Sequence, residues 1–401
     1  MDTRNKKYDY IQVRNKLYVN IEQSLVSLFF NLYYKSRPLT FLERKTRYRF
    51  INISNPLVRL IRVVGIVFLF HKQKNKYNKK REFVNVFPSK FYGTFLMKLR
   101  QKEYKIINLK KMEVTTVFPE HFTLIEVKKK LGILRKAASC QLAPNILQSS
   151  LKERYVKEEY INLKRPSYNL YEYERFNSEI VPILTKISST EIPKVAIVQN
   201  YLEDITTEFY SLIRRYYKTT NTANYNFRKI EDYFLYIRMK LLNRAKKEEF
   251  LLVFSHGDFW EGNILNNSNM HYVIDWNTLD QRSCYFDFYF FMFSHASQTD
   301  KHLRINHLIK RLPSTYNLLH KELLKQSHLS SKHKSRLIDK TGIYLNLFYI
   351  EYIYLKTKEI IIDETDHIKE FNRWVELFQE YEQKIPNLEK QEYILKPEKY
   401  I

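Results

Sequence analysis

Glycine is so scarce in this chain that the few present mark places where the backbone must turn tightly. There are 6 in 401 residues, against an average share of about 7%. Two of them, Gly257 and Gly262, fall inside the short stretch His256-Gly-Asp-Phe-Trp-Glu-Gly-Asn263. Glycine reaches positive φ and lets other groups approach the backbone closely, so a tightly folded loop is expected here. The chain continues Ile264-Leu265, Asn266-Asn-Ser-Asn269 and Met270-His-Tyr-Val-Ile-Asp-Trp276. Turn-forming residues between two short β-rich runs predict a hairpin. That hairpin returns the chain, so that Asp275 is expected beside the loop carrying Asp258 and Asn263. Three converging oxygen-bearing side chains suit Mg²⁺, which takes one or two carboxylates together with the phosphates of a nucleotide. Phosphoryl transfer asks for a carboxylate near the acceptor hydroxyl, metal ligands bridging the phosphates, and a cationic clamp. Asp258, Asn263 and Asp275 fill the first two roles.

The surrounding chain predicts an α+β protein. Thr94–Leu99, Tyr104–Leu109 and Glu113–Phe118 are short runs rich in β-branched and aromatic residues and read as an antiparallel meander. Leu124, Val127, Leu131 and Leu134 predict a helix over 123–138, and 144–147 and 155–161 read as further strands. Beyond 166 the pattern is helical, with segments over 168–187, 197–218, 225–248 and 300–385. Upstream, Leu17, Ile21, Leu25, Leu28, Phe29 and Leu32 recur at helical spacing, and Pro56 can open a second helix over 57–70. The expected organisation is a basic helical extension over 1–83, a small antiparallel-sheet lobe over 84–161 and a larger helical lobe over 162–401.

The net charge of +25 is uneven: residues 1–81 hold 19 Lys/Arg against 4 Asp/Glu. The string His71–Arg81 carries six cations and no acid. Two readings of residues 1–83 stay open: an anionic membrane surface as partner, or packing of Leu57–Phe70 on the lobes with the lysines as a solvated surface. Nucleic acid is not expected, because no recognised binding module accompanies the charge. The apolar run Leu57–Phe70 is interrupted by Arg59 and Arg62 and is shorter than the roughly 20 residues a spanning helix needs. Two cysteines, Cys140 and Cys284, make no disulfide framework, and residues 1–16 lack the apolar core of a secretory signal. The expected location is the cytoplasm, peripheral to the inner face of the membrane. No HExxH or paired Cys/His spacing suggests zinc, and neither GxSxG nor GxxxxGK[ST] occurs.

The string HGDFWEGNIL, with VIDW placing Asp275 17 residues after Asp258, resembles the aminoglycoside phosphotransferase and choline kinase family. The resemblance covers about 84–385, most specifically 250–290. It implies a bilobal protein-kinase-like fold, ATP and Mg²⁺ as cofactors and a small-molecule acceptor. By this resemblance Asp258 is the catalytic base, His256 shapes the loop, and Asn263 and Asp275 are the Mg²⁺ ligands. Asp287, in Tyr-Phe-Asp-Phe-Tyr, matches an aspartate that supports the loop through its backbone. Glu126 sits where the family carries the glutamate partner of a phosphate-binding lysine. Glu158-Glu159-Tyr160-Ile161 resembles the hinge strand, with Glu159 and Ile161 offering backbone groups to adenine. The third strand departs from the pattern: Thr116 occupies the expected lysine position, with Lys110 and Lys111 as alternatives. The expected function is therefore an ATP-dependent kinase acting on a hydroxyl, and the alternative is a catalytically impaired binding or scaffold protein with the same fold.

Overall fold

The sheet begins earlier than the sequence pattern suggests. The computed structural model describes residues 7–43, 55–79, 84–166, 173–220, 225–267, 270–298, 301–327, 329–337, 340–362 and 368–384. Within the region expected to be a helical extension, Tyr8–Arg14 (β1) and Leu17–Asn20 (β2) are paired antiparallel strands. Tyr10, Ile11, Val13, Leu17, Tyr18 and Val19 are buried in them, and aromatic and β-branched side chains suit a pleated, packed surface. Lys16, at φ 61°, makes the turn. The helical spacing of Leu17 and Ile21 is therefore coincidental. The helix starts at Leu25 (α1, Leu25–Tyr34), where the Ser24 hydroxyl caps the amide of Ser27 at 3.1 Å.

A short helix, Thr40–Glu43 (α2), precedes a long one, Asn55–Lys79 (α3). The latter runs through most of the lysine string, in which neither Gly nor Pro stops it. Lys80 and Arg81 lie outside the described residues. The meander then forms as expected: Val86–Ser89 (β3), Phe95–Lys98 (β4), Tyr104–Asn108 (β5), Glu113–Val117 (β6), helix Leu124–Ser139 (α4), Ile146–Ser150 (β7) and Tyr155–Glu159 (β8). The sheet has eight antiparallel strands in the order β3-β1-β2-β4-β5-β6-β8-β7. Leu28 and Leu32 of α1 and Val63, Ile66 and Phe70 of α3 pack on Ile11, Val19, Phe95 and Ile107 of one sheet face. On the same face, Val127 and Leu131 of α4 cover Val156. Arg59 secures the α1–α3 pair. Its guanidinium donates to the carbonyls of Tyr33 (3.0 Å) and Leu32 (2.8 Å) and to the Ser36 hydroxyl (3.0 Å), satisfying carbonyls that a helix end leaves without partners.

The chain divides into two compact units, Met1–Pro166 with Ile264–Asn277, and Ser167–Asn263 with Thr278–Ile401. The boundaries expected at 83/84 and 161/162 are thus corrected twice. The first strands belong to the sheet. The hairpin Ile264–Asn266 (β11) and His271–Val273 (β12) belongs with the first unit, because the amide of Asn266 donates to Lys164 O (2.9 Å) and that of Val273 to Leu142 O (2.7 Å).

The second unit contains helices Tyr173–Ser188 (α5), Val198–Thr220 (α6), Tyr225–Ala245 (α7), Phe286–Gln298 (α8), Lys301–Lys325 (α9), Ser331–Lys334 (α10), Thr341–Ile362 (α11) and Ile368–Lys384 (α12). It also holds a sheet that the sequence reading misses: Lys194–Ile197 (β9), Glu249–Ser255 (β10) and Asp280–Ser283 (β13), with β10 in the centre. Glu249-Phe-Leu-Leu-Val-Phe-Ser255 is nearly all buried, and a strand covered on both faces gives no alternating signal. Helix α11 runs through the core, burying Tyr344, Leu347, Phe348, Tyr349, Tyr352 and Ile353. Tyr352 stacks on Trp374 and Tyr349 on Phe378, each with centroids 4.4 Å apart, so much of the aromatic content serves packing.

Candidate active site

Strand β10 delivers the chain into the glycine-containing loop of the second unit. Asp287, in the first turn of α8, turns a buried carboxylate onto the loop. Its Oδ2 accepts from the amide of His256 (2.7 Å), and its Oδ1 from the amide of Gly257 (2.9 Å) and the Ser255 hydroxyl (3.0 Å). Three donors on one buried carboxylate make a strong, directional anchor, and a helix N-terminus favours the negative charge. The opposite side is braced by Thr278, whose hydroxyl donates to His256 O (2.9 Å) while Arg282 donates to Thr278 O (2.7 Å). Gly257 adopts φ +82°, and a Cβ there would meet Thr278 O and Arg282 Nη1, each at 2.6 Å. No other residue type fits. A Cβ on Gly262 would likewise run into the ring of Trp260.

The braced loop presents Asp258. Its amide donates to His256 Nδ1 at 3.2 Å, which makes that nitrogen the acceptor of the ring. The Asn263 side-chain amide donates to Asp258 O (2.9 Å) and to Asp258 Oδ2 (3.0 Å). With its nitrogen engaged there, Asn263 retains its side-chain oxygen as a ligand atom. On the other carboxylate oxygen, Oδ1, the Lys356 ammonium of α11 stands 4.0 Å away. Lys356 pairs with Glu359 at 2.9 Å and lies 5.5 and 5.9 Å from the ring centroids of Phe290 and Tyr352. Burial pulls its pKa down, but Glu359 and Asp258 outweigh burial and leave it raised. A charged ammonium is thus held beside the candidate base. Nothing in the local sequence of α11 signals it.

The first unit holds Asp275, at φ 62°, a left-handed conformation that aspartate tolerates better than most residues. Its Oδ1 accepts from Lys105 Nζ at 2.9 Å. The Asp275 charge, opposed by burial and aided by Glu158, raises the Lys105 pKa. Glu158 itself is pushed up by burial and by Asp275, with Lys105 opposing. This corrects the expectation for Thr116. Thr116 is buried and stands directly across from Lys105 in the β5–β6 register. The lysine beside Asp275 sits on β5, the strand before the one on which it was expected. Of the three lysines inside the strands of this sheet, Lys98 lies over the rings of Tyr18 and Phe87 and Lys157 pairs with Glu113 at 3.6 Å, leaving Lys105 for the site. Glu126 is corrected as well. It is exposed and closes a capping box with Thr123, at 2.7 Å to the Thr123 amide; its carboxylate goes to its own helix end. Glu159 pairs with Glu113 in the sheet register and accepts from the Asn145 side chain at 3.0 Å, and Ile161 is buried after the strand.

The structure therefore assembles Asp258, Asn263, His256, Asp287 and Lys356 in one unit and Asp275, Lys105 and Glu158 in the other. Among the described residues no group of three or more His, Cys, Asp or Glu could hold a metal by itself. The side-chain oxygens of Asn263, in one unit, and of Asp275, in the other, are each of the kind that Mg²⁺ takes as a ligand.

The model of the ecdysteroid kinase-like family matches residues 173–325, the stretch carrying the loop, the hairpin and Asp287. Similar solved structures include choline kinase from Cryptosporidium parvum, at TM-score 0.48 and 12% identity over 72% of this chain and 88% of that one. Plasmodium vivax ethanolamine kinase gives TM-score 0.44 and 11% identity over 84% and 91%. Choline kinase LicA from Streptococcus pneumoniae gives 0.43 and 15% over 78% and 100%. No curated protein matches the chain.

Proposed function

We propose that this chain, whose residues 173–325 match the ecdysteroid kinase-like family model, transfers the γ-phosphoryl group of ATP to a hydroxyl of a small molecule. The observation that carries the reading is Lys105 at 2.9 Å from Asp275. The scaffold alternative rested on the lack of a lysine at Thr116, and a half-buried, charged lysine stands directly opposite that residue.

In this reading Asp258, its Oδ2 held by Asn263, receives the acceptor hydroxyl's proton as that oxygen bonds to the γ-phosphorus and the bond to ADP breaks. Asp287 holds the loop so that this carboxylate needs no rearrangement. Lys105 binds the phosphates. Asn263 and Asp275 are the residues that would hold Mg²⁺, which would neutralise charge on the phosphate oxygens. Glu159 and Ile161 offer backbone groups to adenine. Lys356 bears on the acceptor: a fixed ammonium beside the base repels a cationic acceptor and favours a neutral one able to accept a hydrogen bond. A polyhydroxylated steroid of the kind that the family name suggests fits this better than choline or ethanolamine.

Calorimetry with ATP, with and without Mg²⁺, tests the reading, followed by ATP consumption over hydroxylated steroids, sugars, aminoglycosides, choline and ethanolamine. Mg²⁺-dependent binding that Asp275→Ala abolishes is the expected result. No nucleotide binding under any condition would return the scaffold reading, and turnover with choline above all neutral acceptors would overturn the role given to Lys356.

A further inference from the structure

Helices α1 and α3 each use one face against the sheet, and the opposite faces are apolar but not covered. On α3, Val63, Ile66 and Phe70 are buried while Leu57, Ile61, Val64 and Phe68 are 57, 63, 50 and 64% exposed. The spacing of four, three and four residues puts the exposed set on one stripe, opposite the buried one. On α1, Leu28 and Leu32 are buried while Val26, Phe30 and Tyr34 are 67, 53 and 58% exposed. The two helices are antiparallel neighbours. Arg59, near the start of α3, bonds to the end of α1, and Lys74, near its end, donates to Gln23 O at 3.0 Å before the start of α1. Because both pack on the same sheet face, both exposed rows point away from it, Tyr34–Phe30–Val26 running beside Leu57–Ile61–Val64–Phe68. Seven large apolar side chains side by side far exceed the scattered exposure normal for a surface.

The charge pattern says what covers them. Neither helix contains an acidic residue. The outer stripe of α3 continues past Phe68 into Lys72, Lys76 and Lys79, all exposed. An apolar stripe that changes into cations along one helix face matches the depth profile of a bilayer surface, where acyl chains lie beneath anionic headgroups. A protein partner is met by an apolar centre ringed by a polar rim, whereas this face runs from apolar to cationic in one direction along the helix. Among the described residues no helix is long and apolar enough to cross a membrane, so the contact is one of lying on the surface. We propose that the outer face of α1 and α3 docks on an anionic lipid bilayer, with Val26, Phe30, Ile61, Val64 and Phe68 at the acyl boundary and Lys72, Lys76 and Lys79 on the headgroups. This rests on the first unit alone and is independent of the kinase reading.

The test is co-sedimentation of the full chain with vesicles of phosphatidylcholine containing about 30% phosphatidylserine, compared with phosphatidylcholine alone. Binding to the anionic vesicles only, released as salt rises, is expected. The triple variant Lys72→Gln, Lys76→Gln, Lys79→Gln should partition about a hundredfold less, from roughly fivefold per cation. The pair Ile61→Asp, Phe68→Asp should abolish binding while its thermal unfolding and ATP binding match those of the parent, since both side chains are exposed. Absence of binding by the parent chain, or equal binding by both variants, overturns the proposal. So does a concentration-dependent dimer in sedimentation velocity that the Asp pair dissolves without any vesicle binding, which would assign the face to a second copy.

Discussion

The two carboxylates expected to carry the chemistry are held in opposite ways. Asp258 sits on a loop whose supports are close in sequence: His256, Gly257 and Asn263 lie within it, and Asp287 follows 31 residues after His256. Asp275 is held by Lys105, 170 residues earlier. Gly257 is required by local crowding, which leaves no room for a Cβ, whereas Lys105 reaches its partner only because an eight-stranded sheet puts β5 in register. The first arrangement is written in one short string, and the second is a product of topology. Substitutions can separate what each contributes.

The largest effect should come from Asp258→Asn. Loss of the base should lower turnover by about 10²–10⁴-fold, measured as ATP consumption with an accepted hydroxyl. Nucleotide affinity should stay within a factor of about two, because the Asn263 amide still finds the backbone and side-chain oxygens of residue 258. Unchanged turnover would remove the carboxylate from the mechanism.

Next in size is Lys105→Ala, which removes a charge-assisted contact to phosphate and should weaken Mg²⁺–ATP binding by about 10–100-fold. Thr116→Val, at the position the sequence pattern favours, should leave affinity unchanged. If calorimetry reversed that order, the strand correction would fail and Thr116 would again mark the site.

What was legible in the sequence follows the same division. The hairpin at 264–273, the helix over 124–139 and the meander strands were readable because their signals are local turns and periodicities. Asp258 was readable because the two glycines of the string His256–Asn263 mark a tightly folded loop. Lys105 was not, since its partner Asp275 lies 170 residues away in sequence and no local signal joins the two. Glu126 misled for a related reason: its sequence position fits a lysine partner, but a capping box only three residues long competes for the carboxylate and wins. Strand β10 escaped because a strand buried on both faces shows no alternation, and β9 and β13 because four residues each are too short to show a period. Lys356 escaped because tertiary packing alone brings α11 to Asp258.

Two glycines give a smaller contrast between the units. Gly257→Ala places a Cβ in a φ +82° backbone against Thr278 O, and strain of this kind costs about 1–3 kcal/mol. Gly132, inside α4, has nothing within 4 Å of the Cβ it would gain, and Ala is the better helix former by about 0.5–1 kcal/mol. Differential scanning calorimetry should therefore show Gly257→Ala melting lower than the parent and Gly132→Ala melting higher. Equal melting of the two would mean that the loop relaxes around the added methyl group and is not rigidly braced.

The smallest expected effect tests how Lys105 divides itself between two acids. Burial, reinforced by Asp275, raises the Glu158 pKa above 4.5 against the pull of Lys105. The folded protein then holds this proton more tightly than the unfolded chain. Its contribution is fully present below pH 4.5 and is lost as pH rises through the folded pKa. Glu158→Gln removes that titration and keeps the shape. It should raise the melting temperature at neutral pH by about 2–4 °C, the shift that about 1 kcal/mol produces in a unit of 150–250 residues. The gap from the parent should close toward pH 4, where Glu158 is protonated in both states. A variant less stable than the parent at neutral pH would show that Lys105 binds Glu158 more strongly than burial opposes its charge. Lys105 would then serve Glu158 and Asp275 alike, and its assignment to the phosphates would weaken accordingly.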